Sequence, residues 1–147
     1  MSFDFLEFYY QAEDISDKRH RIPSKEMSLA DEADMRTAIS RAYYAAFHKA
    51  REFLQSTRDN TPETLAGGMH ERLISRFTNS SLAERRTMGA KLDRMKKLRH
   101  IVDYNYIIKN KYNGNLYKLV DEVLLTTQGL INEFNLIADP NSEPLIP

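Results

Sequence analysis

Cysteine is absent from the 147 residues, which excludes disulfides and thiol chemistry and suits a reducing cytoplasm, the expected location. Glycine and proline are scarce, five of each, and fall mostly near the ends of predicted helices, leaving long stretches without a breaker. No window holds about 18 consecutive apolar residues, so no membrane span is expected. The amino-terminal MSFDFLEF lacks the basic-then-apolar order of a secretory signal. Strand-like alternation, internal repeats and a domain linker are also missing. Net charge is zero, which taken alone argues against a nucleic-acid partner. What remains is 41% hydrophobic and 29% charged, the balance of one globular domain with a real core.

Five helical segments follow from the spacing of apolar residues. The first covers about Phe3 to Arg19 and stops before Pro23. The second starts near Ser28, an N-cap with Asp31 and Glu32 in its first turn, and runs to about Thr57. Its Ile39, Tyr43, Ala46, Ala50 and Phe53 recur at three- and four-residue steps, one buried stripe. Ala42, Ala45, Ala46 and Ala50 would let another helix approach closely. A Pro62- and Gly67-Gly68-containing loop precedes a short helix from Met69 to Phe77. Ser81 and Glu84 offer a reciprocal capping pair for a fourth helix reaching about Ile108, and Asn113-Gly114 leads to a fifth from Leu116 to Ala138. The expected fold is all-α: an up-and-down antiparallel bundle of four to five helices in a single domain, residues 1–138. DPNSEPLIP, residues 139–147, cannot be helical and reads as a flexible or partner-bound tail.

Charge is unevenly placed. Nine basic residues lie between Ser80 and Lys111 against Glu84, Asp93 and Asp103, so this segment carries +6 and the rest of the chain −6. Arg94, Lys96, Lys97 and Arg99 are part of it. A basic helix on an acidic body attracts phosphate locally; the same pattern equally suits a solvated face paired to acidic neighbours.

The segment LRHIVDYNY, Leu98 to Tyr106, concentrates polar groups on a core-forming helix. At 3.6 residues per turn Asp103 and Tyr106 lie about 40° and 20° from Arg99, so the three share one face, whereas Tyr104 lies about 140° from Arg99. Arg99 and Asp103 read either as an intrahelical ion pair or as a phosphate-binding arginine oriented by a carboxylate, with Tyr106 as donor or stacking surface. Histidine is the side chain suited to shuttling protons near neutral pH, so His100 reads as a candidate shuttle, against the commoner role of a histidine at a solvated helix edge. Arg94 is about 120° from His100, too far round for one face to present both easily. His48 and His70 read as polar residues satisfied inside the bundle. No HExxH pair and no phosphate-binding glycine loop occur, so neither a metal nor a cofactor is expected. Tyr9, Tyr10, Tyr43, Tyr44, Tyr104, Tyr106 and Phe47 suit a core or a dimer seam, and tyrosine also suits base stacking.

RTAISRAYYAAFHKAREFL, then GMHERLISRF, then LRHIVDYNY together resemble the HEPN superfamily (higher eukaryotes and prokaryotes nucleotide-binding). The resemblance is closest to its small stand-alone bacterial and archaeal proteins and covers about Arg36 to Tyr106. It implies a helical bundle that dimerises, with the polar helix of each copy at a shared cleft. It also implies either a metal-independent endoribonuclease of toxin–antitoxin or phage-defence systems, or a subunit that a minimal nucleotidyltransferase partners and modifies. Arg99-His100 matches the start of the ribonuclease motif, whereas Tyr104 falls where the catalytic histidine belongs and Tyr106 where some members accept nucleotides. The implied catalytic set is Arg99, His100 and Tyr104. Arg94, Lys96, Lys97, Asp103 and Tyr106 would bind RNA or nucleotide. A tyrosine phenol, titrating near about 10, is a poor base at neutral pH, so His100 would have to serve. The leading expectation is thus a dimer that binds or cleaves RNA. A non-catalytic subunit binding a nucleotide or a nucleotidyltransferase, and a structural adaptor, are the alternatives.

Overall fold

A computed structural model describes residues 4–19, 28–57, 67–104 and 116–138. These form five helices: α1 (Leu6–Arg19), α2 (Leu29–Thr57), α3 (Met69–Thr78), α4 (Ala83–Tyr104) and α5 (Leu116–Ala138). Among the described residues there is no strand, and the fold is the all-α bundle expected from the sequence. Tyr106, Lys109, Lys111, the predicted end of the fourth helix and the 139–147 tail lie outside the described residues.

Local chemistry sets the helix starts. At α2, Ser28 and Asp31 cap each other reciprocally: the Asp31 amide donates to Ser28 Oγ at 3.1 Å, and the Ser28 amide donates to Asp31 Oδ2 at 3.1 Å. At α1 the Asp4 carboxylate accepts from the Leu6 amide at 2.9 Å and the helix opens at Leu6; the expected start, Phe3, lies outside the described residues. At α4 the serine that turns inward is Ser80, not Ser81. Ser80 is buried, and its Oγ accepts from the Leu82 amide at 3.2 Å. Gly67, at φ +90°, turns the chain into α3 through backbone space open to glycine. Gly68 is the N-cap and contributes no side chain.

α2 is the central helix, packed against α1, α4 and α5. Its Ala38, Ala42, Ala45, Ala46 and Ala50 are wholly buried, and these methyls allow the neighbouring backbones in. Cross-helix pairs give the directions. Lys49 reaches Asp4 while Arg41 covers Phe8, so α1 runs against α2. Arg36 meets Val102 and Tyr44 meets Arg99, so α4 also runs against α2. Ala42 meets Thr127 and Phe53 meets Phe134, so α5 runs with it. The four long helices therefore alternate in chain order, the arrangement that buries one stripe of each. α3 packs mainly on α4 and sends His70 and Phe77 across to rings of α2. Gly89 of α4 makes that packing possible, since a Cβ there would lie 2.8 Å from the Thr78 backbone nitrogen. Leu92, Met95, Leu98 and Val102 complete the core from α4, and Leu119, Val123, Leu130 and Phe134 from α5.

Candidate functional site

The second half of α4 carries a polar cluster because its apolar stripe, Leu92, Met95, Leu98 and Val102, faces inward and leaves the residues between to the flanks. Arg99 sits at the edge of that stripe with its side chain 20% exposed. Its Nε donates to Asp103 Oδ2 at 3.0 Å, and its Nη2 donates to the Tyr44 oxygen on α2 at 2.7 Å. The guanidinium also lies over the Tyr44 ring, 4.9 Å from its centroid. A carboxylate, a phenol oxygen and an aromatic face thus hold one cation.

Beyond Arg99 a cleft of about 700 Å³ opens between the start of α3 and α4. Gly68, Met69, His70, Glu71, Lys96, Lys97, Arg99, His100 and Ile101 line it. Lys96 is bonded to Glu71 at 3.2 Å across the cleft, and Lys97 to Asp93 at 2.7 Å. Three cations thus line the cleft, each paired with a carboxylate, and of those carboxylates only Glu71 is itself in the lining. On the other side of the Arg99–Asp103 pair a smaller hollow of about 430 Å³ is bounded by Arg36, Arg41, Tyr44 and Asp103. There Arg36 donates to the Val102 carbonyl at 2.8 Å, tying α2 to the last described turn of α4.

The remaining predicted residues divide. His100 is exposed, and its ring lies 4.9 Å from that of Tyr104. Tyr104 is 70% exposed and outside the cleft lining. Arg94 points to α5, where Glu122 receives it at 2.7 Å, and it is not among the residues that line the cleft with Arg99 and His100. Among the described residues no three histidine, aspartate or glutamate side chains converge as a metal ion would require. No helix among them is long and apolar enough to cross a membrane.

His70 is satisfied against the bundle interior, as expected, and it also lines the cleft. Its Nδ1 is 2.6 Å from the Tyr43 hydroxyl, and its ring stacks on Phe47 with centroids 4.0 Å apart. Burial, reinforced by the positive charges of Arg99 and Lys96, holds its pKa below the usual histidine value. Burial pushes the Tyr43 phenol well up, outweighing the opposing pull of Arg99, so Tyr43 keeps its proton. His48 stacks on Phe5 at 3.8 Å, and burial lowers its pKa too.

Comparison with protein-family models, curated proteins and solved structures returned no match.

Proposed function

We propose that this chain is a HEPN-type RNA-binding protein that grips the phosphodiester backbone in the cleft between α3 and α4, with Arg99 as the principal anion ligand. The observation that carries the reading is the bracing of Arg99. Asp103 and Tyr44 use its Nε and one hydrogen of Nη2, and among the described residues Nη1 has no such partner, so it can engage a phosphate at the cleft wall. Lys96 and Lys97 line the same cleft and add field. As the HEPN resemblance implies, the chain acts as a homodimer in which the two clefts are juxtaposed. Its setting is a cytoplasmic toxin–antitoxin or phage-defence system.

The test is binding of a labelled single-stranded RNA in EDTA, by anisotropy, with chain mass measured by light scattering. Arg99→Ala is expected to weaken binding at least about tenfold, the worth of a hydrogen bond to a charged oxygen. Equal affinity of the variant and the wild type would end the proposal. Cleavage of the same RNA in EDTA, lost in Arg99→Ala and His100→Ala, would add the endoribonuclease activity. A second reading is favoured by the exposure of Tyr104, whose phenol is open to modification by a minimal nucleotidyltransferase. A gain in mass on that residue with such a partner present is its mark.

A further inference from the structure

We infer that His70, reached from α3 rather than from the arginine helix, is the second anion-binding residue of the cleft, presenting a neutral Nε2–H donor to the phosphodiester oxygen that Arg99 holds. This rests on the RNA-binding reading and specifies how the site recognises its ligand.

Tyr43 is fully buried, and among the described residues the one hydrogen-bond partner of its hydroxyl is His70 Nδ1, 2.6 Å away. A buried O–H needs an acceptor. If Nδ1 carried the proton, it would donate to the phenol oxygen, and the phenolic hydrogen would be buried with no acceptor among the described residues. The arrangement that satisfies both groups has Tyr43 donating to an unprotonated Nδ1, which puts the imidazole proton on Nε2. The stack on Phe47, only 15° from parallel, fixes the ring plane. With Nδ1 directed into the core, Nε2 lies on the opposite edge of a ring that lines the cleft.

Neutrality has a cause as well. Arg99 and Lys96 from α4 and His48 from α2 all oppose a positive charge on His70, in addition to its burial. Tyr43 and Tyr44 of α2 face the same ring and Glu71 borders the cleft beside it. A charged guanidinium and an uncharged donor thus flank one anion. The same tautomer has a chemical consequence: the lone pair that would deprotonate a ribose 2′-hydroxyl is occupied by Tyr43. His70 therefore holds RNA and does not activate it for cleavage.

Long-range proton–nitrogen NMR of the imidazoles tests the tautomer on the wild-type chain, with the His70 signals identified by their loss in His70→Gln. The proton is expected on Nε2 at neutral pH, and its resonance is expected to move when a uridine oligoribonucleotide is added. By anisotropy with that probe, His70→Phe, which keeps a ring against Phe47, should bind about tenfold more weakly. His70→Gln restores an amide donor and should stay within about threefold of wild type. A proton on Nδ1, or undiminished binding by His70→Phe, overturns the role of His70 alone. Failure of the wild type to bind the probe overturns the RNA reading and the inference together.

Discussion

Gly89 gives the sharpest quantitative test of how the cleft is built. Replacing it by alanine improves intrinsic helix propensity by about 1 kcal/mol, so propensity alone predicts a more stable protein. Packing predicts the opposite. The added Cβ would stand 2.7 Å from Thr78 Cγ2, 2.8 Å from the Thr78 nitrogen and 2.9 Å from Phe77 Cβ. A methyl can rotate aside, but a backbone nitrogen cannot, so α3 must shift as a unit. Overpacking of this kind costs about 1–3 kcal/mol, and contact with backbone places Gly89→Ala toward the upper end. The net loss is then about 1–2 kcal/mol, a fall in Tm of roughly 3–6 °C for a domain of this size. Gly129 of α5 is the internal control, because a Cβ there meets nothing within 4 Å, and Gly129→Ala should gain about 1 kcal/mol. Urea denaturation followed by far-UV circular dichroism measures both. If Gly89→Ala matches or exceeds the wild type while Gly129→Ala gains, the close approach of α3 and α4 is not as described. Because α3 carries His70, the same substitution is also expected to weaken RNA binding from a position outside the cleft.

Lys97, whose side chain is 70% exposed, should act through charge alone. Lys97→Ala is expected to lower the slope of log affinity against log salt by about 0.7, one single-strand phosphate contact, and an unchanged slope would remove it from the interface. Acid should destabilise the fold through His70 and His48. Both have folded pKa values below the ordinary 6.5, so the unfolded chain takes up their protons first. Their contribution is present above about 6.5 and lost as pH falls toward the folded values. Urea midpoints between neutral and mildly acidic pH should fall less steeply for His70→Gln, and identical pH profiles would contradict the assigned burial. Tyr44→Phe removes the acceptor of Arg99 Nη2 and should cost about 1 kcal/mol of RNA binding, measured by anisotropy; no change would mean the brace is idle.

The bundle was largely legible because periodic apolar positions are local information. Ile39, Tyr43, Ala46, Ala50 and Phe53 are buried as their spacing implies, and the Ser28 cap starts α2 where expected. Arg99 and Asp103 are similarly local, one helical turn apart, and they meet. Ser81 misled because two adjacent serines offer two capping registers, and burial of Ser80 decides between them. The contacts that shape the cleft are not local. Tyr43 and His70 are 27 positions apart, and Tyr44 and Arg99 are 55 apart. No spacing rule links residues on different helices at such separations. The single hint was the Gly67-Gly68 pair before His70, which marks a turn able to bring that histidine back against α2.

The contacts on Arg99 have an entropic side. A long arginine chain normally surrenders several rotatable bonds when it seizes an anion, a loss of about 0.5–1.5 kcal/mol per immobilised side chain. With Asp103 and the Tyr44 hydroxyl and ring already fixing its course, most of that ordering is complete before any ligand arrives. On the proposed reading, affinity at this position would then be set by the anion it meets and only weakly by the chain having to find its pose.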